Sequence, residues 1–263
     1  IEVTYIPVNE DGLISPKDIK KALKKNTVLV SVMYVNNEIG TVQPIKEISE
    51  ILKEHSAYFH VDAVQAANYL NINVKDLGVD LMTLSGHKIY GPKGSAILYK
   101  KEDVNISPIV TGGEQERKLS AGTENVPAFI GFAEALKETE ELKEKESKRV
   151  GHLRDIFIEK ILSNTSDVGL NGSKSLRIPN NINVYFKNTS SEILIPKFDA
   201  KGLLVSGGSA CTSRTPEPSH VIEALGRKEY AKNSIRITLG RHTTEEDINK
   251  AADIFIKIAK QKQ

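Results

Sequence analysis

Hydrophobic and polar positions fall into blocks that end abruptly in chemistry-bearing residues. The clearest block, Val79 to Leu84, is broken only by Asp80 and Thr83 and runs into Ser85-Gly86-His87-Lys88, then Gly91-Pro92-Lys93-Gly94. That pattern predicts a buried strand carrying a polar cluster to its C-terminal edge. Similar runs predict strands over Ile1–Val8, over Thr27–Val35 leading into Asn36-Asn37-Glu38-Ile39-Gly40, over Ala57–Val61 leading into Asp62-Ala63-Val64-Gln65, and over Ser95–Tyr99. Between them, Ser15-Pro16-Lys17-Asp18 opens a short helix with Ile19, Ala22 and Leu23 on one face. Ile45 to His55 repeats Ile45, Ile48, Ile51 and Leu52 at helical spacing. This rhythm predicts an α/β fold with a mostly parallel sheet and flanking helices. The strand ends at Asn37, Asp62 and Lys88 would converge on one crevice, at the edge where open α/β sheets bind ligands.

From Pro127 the period becomes helical, and Lys137 to Arg149 is a dense alternation of Glu and Lys. It reads as a solvated helix face laced by i,i+4 pairs. The change in composition there predicts a division into a large domain over 1–140 and a smaller α+β domain over 141–263. In the second part the pattern predicts a helix to about Leu162, strands over Asn183–Phe186, Leu203–Val205 and Ser234–Leu239, and helices over Ser191–Phe198 and Pro218–Leu225. Thr243-Thr244-Glu245-Glu246 predicts a capping box between Thr243 and Glu246 for a last helix that buries Ile248, Ala251, Ala252, Phe255 and Ile258.

Composition narrows the function classes. In 263 residues, 36 basic and 34 acidic side chains give a net charge of +2, which does not point to a polyanionic partner such as nucleic acid. No apolar run approaches a membrane span and no signal-peptide pattern opens the chain, so a cytoplasmic location is expected. The first residues read as the middle of a strand and carry no initiator methionine, as in a piece of a longer chain. Cys211 is the sole cysteine, which excludes an internal disulfide framework and a multi-cysteine metal site. Its neighbours, Ser206-Gly207-Gly208-Ser209-Ala210 and Thr212-Ser213, are small and polar, a setting that suits a reactive thiol on a moving loop better than a packed core cysteine.

Lys88 has two readings, a solvated lysine in a turn or an amine held for Schiff-base chemistry. Pyridoxal phosphate requires a lysine, a carboxylate for the pyridine nitrogen, donors for the phosphate and a cation for the substrate carboxylate. Lys88, Asp62, Ser85 with His87, and Arg236 supply those groups in that order. Competing motifs are weaker. Pro92 interrupts any phosphate-loop geometry after Gly86, the histidines do not fall in a metal-binding helical spacing, and no G-x-S-x-G elbow occurs. His60 and His152 read as structural or surface residues.

Taken together, Val35 to Gly40, Val61 to Gln65, Ser85 to Lys88 with Tyr90 to Gly94, Ala121 to Asn125, Ser206 to Ser213 and Ser234 to Arg236 resemble a cysteine desulfurase of the NifS/IscS-like group. That group lies within the fold-type I pyridoxal-phosphate enzymes of the aminotransferase class V family. The resemblance covers essentially the whole chain, and the cysteine stretch is similar to the long-loop subgroup. It implies that Lys88 forms the Schiff base and then shuttles protons, that Asp62 pairs with the ring nitrogen and Gln65 with the ring hydroxyl oxygen, and that Ser85 and His87 bind the phosphate. Thr123 would join them from the partner subunit of a homodimer. Asn37 and Arg236 would hold the carboxylate of L-cysteine. Cys211 would attack its sulfur, leaving alanine and a persulfide destined for an acceptor protein in iron–sulfur cluster assembly or tRNA thiolation. Two departures stand out. Family members carry an N-terminal segment, with a ring-stacking histidine and part of the phosphate cradle, that these residues do not include; and Ser120 stands where an arginine is usual. Two other outcomes are therefore carried, a non-catalytic fragment that keeps a partner-binding surface, and a related lyase acting on selenocysteine or cysteine sulfinate.

Overall fold

The computed structural model describes residues 1–208 and 218–261. They pack into two units, one formed by Lys24–Tyr34 and Ile45–Lys143, the other by Ile1–Leu23, Val35–Pro44 and the chain from Glu144 onward.

The first unit is built on a four-stranded sheet in the order β1 (Leu29–Met33), β2 (Tyr58–Asp62), β3 (Leu81–Ser85) and β4 (Ala96–Lys100). The first three strands are parallel and β4 returns antiparallel to β3. The mostly parallel sheet expected from the hydrophobic runs is thus present. Period-two alternation decides its faces: Phe59 and Val61 are buried on one side, whereas Tyr58, His60 and Asp62 lie half-buried on the other. Helix α2 (Ile45–Leu52) buries Ile45, Ile48 and Leu52, and packs against β2. The short helix α3 (Val74–Leu77) was not signalled by periodicity; it is set by Asn73, whose side chain accepts from the Lys75 and Asp76 N–H groups, and by Gly78 in the left-handed conformation behind it. Strand β1 differs from expectation. It is an edge strand that buries only Val32, and Leu29 stays 48% exposed.

The second unit opens with helix α1 (Pro16–Ala22), which has Pro16 in its first turn as expected. Residues 1–8 do not form the expected strand, since among them only Val8 pairs, in an isolated bridge to Ile14. A turn at Gln115–Lys118 (α4) precedes the 39-residue helix α5 (Val126–Asn164), which belongs to the first unit at its start and to the second from Glu144. Its charged middle carries one pair at the expected i,i+4 spacing, Lys148–Glu144, and two at i,i+3, Lys143–Glu140 and Arg149–Glu146.

Beyond it, an antiparallel sheet runs β5 (Val168–Leu170), β6 (Asn181–Phe186), β7 (Ser234–Thr238). Helices α6 (Ser191–Asp199), α7 (His220–Ala224) and α8 (Glu245–Ala259) accompany it. Its core is aromatic: the Phe255 ring lies 5.8 Å from Phe157, 5.4 Å from Phe186 and 5.3 Å from Phe198, and all four are buried. Two local expectations shift. Leu203–Val205 is not a strand; Ser206 alone bridges to Arg236. The capping box of α8 forms one residue later, between Thr244 and Asp247, because the Thr243 hydroxyl accepts from the Gly240 N–H instead. Among the described residues, no helix is long and apolar enough to cross a membrane, and no cluster of His, Cys, Asp and Glu could hold a metal ion.

Candidate active-site elements

In the parallel-sheet unit, the ends of β2 and β3 lie side by side, with Asp62 opposite Thr83. The chain beyond Asp62 is pinned twice, by the Ala63 N–H on the Thr83 carbonyl at 3.0 Å and by the Val64 N–H on Asp62 Oδ1 at 3.0 Å. The carboxylate therefore has a defined direction at the strand end. Two residues earlier on the same sheet face, the His60 ring bridges three strands, with Nδ1 2.8 Å from Ser31 Oγ and Nε2 2.9 Å from Thr83 Oγ1. Burial pushes the His60 imidazole below its ordinary pKa, and the Asp62 charge opposes that shift. His60 thus takes the structural one of the two roles expected of it, on the same face as Asp62.

At the end of β3 the chain enters a 3-10 turn, Gly86–Lys88. The Gly86 carbonyl accepts from the Ile89 N–H at 3.0 Å and the Gly91 N–H at 2.9 Å, which folds the Tyr90-Gly91 segment back under the turn. Only glycine fits at position 86, where a Cβ would stand 2.3 Å from Ser95 Oγ and 2.8 Å from the Phe132 ring. Ser85 Oγ lies 2.9 Å from His87 Nδ1, so the two expected phosphate-binding residues form one polar pair. Lys88 is exposed, and its backbone is held by the Asn68 side-chain amide, which donates to the Lys88 carbonyl at 2.5 Å. No pattern in the chain pointed to Asn68. Gln65 follows half-buried in the turn after Asp62, and Thr123 is exposed between α4 and α5. The structure thus brings Asp62, Gln65, Ser85, His87 and Lys88 to adjoining ends of one sheet, within one unit.

Asn37 and Arg236 belong to the other unit, and they touch: Arg236 Nη1 donates to the Asn37 carbonyl at 2.8 Å and Nη2 to Ser206 Oγ at 3.1 Å. The turn carrying Asn37 starts with Asn36, whose Oδ1 accepts from the Glu38 and Ile39 N–H groups at 2.9 and 3.0 Å. Its successive carbonyls are all held. Besides the Asn37 contact, the Glu38 carbonyl accepts from the Asn181 and Asn183 amides at 3.0 and 3.1 Å, that of Ile39 from Arg177 Nη1 at 2.6 Å, and that of Gly40 from the Ile178 N–H at 2.9 Å. Arg177 is buried, and burial, together with the nearby Arg154 charge, lowers its pKa, with Asp11 opposing. Sequence reasoning missed Arg177, because nothing in a polar loop marks which arginine is buried. Cys211 lies outside the described residues.

The profile of the aminotransferase class-V family matches residues 1–251. A cysteine desulfurase IscS from Dictyoglomus turgidum is 47% identical over 258 residues, covering 98% of this chain and 66% of the relative. The chain thus spans about two thirds of the length of such curated relatives. Among solved structures, a NifS-like protein from Rickettsia africae superposes with a TM-score of 0.88 at 33% identity, over 96% of this chain and 68% of that one. SspA in complex with cysteine superposes with a TM-score of 0.77 at 34% identity, over 93% and 68%. Matched over residues 1–251, this chain belongs to the aminotransferase class-V family.

Proposed function

We propose that the chain is the greater part of a pyridoxal-phosphate-dependent cysteine desulfurase, which takes sulfur from L-cysteine and leaves alanine and a persulfide on Cys211. The observation that carries this reading is the placement of Asp62, with its directed carboxylate, and of the Ser85–His87 pair with Lys88 at the ends of neighbouring strands. The donor set fits the cofactor's chemistry: a directed carboxylate for a protonated pyridine nitrogen, a hydroxyl–imidazole pair for a phosphate, and an amine on a tethered turn. When bound, pyridoxal phosphate supplies the electron sink that makes bonds at the substrate's α and β carbons breakable.

The chain's own residues then have distinct tasks. Asp62, Gln65, Ser85 and His87 hold the cofactor, with Thr123 joining from the partner subunit of a homodimer. Lys88 Nζ takes the α-proton of cysteine and later returns a proton to carbon. The Arg236 guanidinium and Asn37, already joined, receive the substrate carboxylate. Cys211, as thiolate, forms an S–S bond to the substrate sulfur while the C–S bond breaks; its electron pair stays with carbon, which is protonated to give alanine. The name of the Dictyoglomus relative and the cysteine bound to SspA support L-cysteine as substrate. The persulfide would pass to an acceptor protein of iron–sulfur assembly or tRNA thiolation, in the cytoplasm. A large cofactor-binding domain over 1–140 and a small domain over 141–263 complete the reading.

With pyridoxal phosphate added, the chain is expected to show the visible band of the bound cofactor and to release alanine from L-cysteine. Lys88→Ala should lose both. Alanine release at an undiminished rate from Lys88→Ala overturns the assignment.

A further inference from the structure

Lys88 leads into a strained stretch of backbone. Tyr90, two residues on, holds φ at 66°, a left-handed conformation that a bulky side chain rarely adopts. Such a conformation persists where its surroundings over-determine it. Two holds come from within the turn, since the Gly86 carbonyl takes both the Ile89 and the Gly91 N–H groups, and Ile89 is buried. A third comes from outside it, where the Asn68 side-chain amide donates to the Lys88 carbonyl at 2.5 Å. Asn68 stands on a fixed support. The Ala66 N–H donates to the Ala63 carbonyl at 2.9 Å, the Tyr69 and Leu70 N–H groups donate to the Ala66 carbonyl at 3.0 and 2.9 Å, and Ala63, Ala66, Ala67 and Tyr69 are buried. The same segment starts at Asp62, carries Gln65, and is tied to β3 by the Ala63 N–H on the Thr83 carbonyl. Asn68 thus joins the stretch bearing two of the cofactor-holding residues to the peptide that bears the amine. A bond to the Lys88 carbonyl restricts rotation about ψ of Lys88, and a flexible four-carbon stem amplifies any rotation at its base.

We infer that Asn68 is a positioning residue for Lys88: its amide sets the Lys88 peptide against the Asp62–Gln65 segment, so that the amine is aimed at a cofactor held by that segment. This deepens the proposed function and rests on it, and one arm of its test needs no cofactor. In the cofactor-free chain, hydrogen exchange followed by NMR reads the turn and its support separately. Asn68→Ala should speed exchange of the Ile89 and Gly91 amides by about threefold or more, and leave the Ala63 amide within about twofold of the parent. Asn68→Asp keeps the shape and loses the donor, so it should match Asn68→Ala. Asn68 is only half-buried, so neither substitution opens the core. With pyridoxal phosphate added, both variants should form the visible band about threefold or more slowly than the parent. Both should still bind pyridoxine 5′-phosphate, which lacks the aldehyde, within about twofold of the parent affinity, a split that a merely structural loss would not give. Exchange at Ile89 and Gly91 left at the parent rate in either variant, acceleration shared equally by Ala63, or band formation at an unchanged rate overturns the inference. A parent chain that forms no band counts against the proposed function, and the exchange pattern alone then decides whether Asn68 holds the turn.

Discussion

Replacing Arg177 with methionine removes the buried cation that braces the Asn37 turn. Arg177 donates to the carbonyls of Ile39, Ser173 and Asn171 and to Asn181 Oδ1. Leaving three buried carbonyls without this donor costs about 1–3 kcal/mol each. Against that, no longer burying a guanidinium returns several kcal/mol of desolvation. The balance is a loss of about 2–4 kcal/mol, with methionine filling most of the volume. In urea unfolding this lowers the midpoint by about 1–2 M at unchanged slope. Arg177→Lys keeps the charge but offers one nitrogen in place of a planar fork, and should lose about half as much or more. A second readout separates bracing of the turn from bulk stability: at a temperature where both proteins are folded, the KM for L-cysteine should rise more than kcat falls, because the pair that receives the carboxylate is displaced. A midpoint within about 0.2 M of the parent for Arg177→Met would refute the reasoning.

Two further outcomes follow from particular contacts. The folded-state pKa of His60 lies below its ordinary value of 6.5, so below that pH the unfolded chain binds a proton that the folded chain withholds. Stability is therefore full above about pH 6.5 and declines as pH falls toward the folded pKa; His60→Gln should flatten this slope in urea titrations at pH 7.5, 6.5 and 5.5, and an NMR titration should place His60 below 6.5. Thr244→Ala should cost about 1 kcal/mol and speed exchange of the Asp247 amide, whereas Thr243→Ala should leave that amide protected.

What the sequence revealed, and what it hid, follows from the reach of the interactions. Val79–Leu84 and Ala57–Val61 announced their strands because burial of one face imposes period two locally, and the residues behind them, Asp62 and Ser85 to Lys88, were legible as strand-end chemistry. Local competition misled at Thr243 and Thr244, where two adjacent hydroxyls could cap and a contact to Gly240 settled the choice. Thr27–Val35 looked buried because apolar content does not say whether a strand lies at a sheet edge. Long-range partners were invisible: Asn68 reaches Lys88 across 20 positions, and Glu38 reaches Ser219 across 181. Neither distance leaves a periodic trace.

The most direct test of the central claim is a single-turnover experiment on the chain loaded with pyridoxal phosphate, in which L-cysteine labelled at sulfur is added and alanine and protein-bound sulfur are counted together. The account predicts one alanine per chain and one labelled sulfur carried by Cys211, both abolished in Cys211→Ala. Alanine formed with the label absent from Cys211, or formed at an unaltered rate in Cys211→Ala, would contradict it.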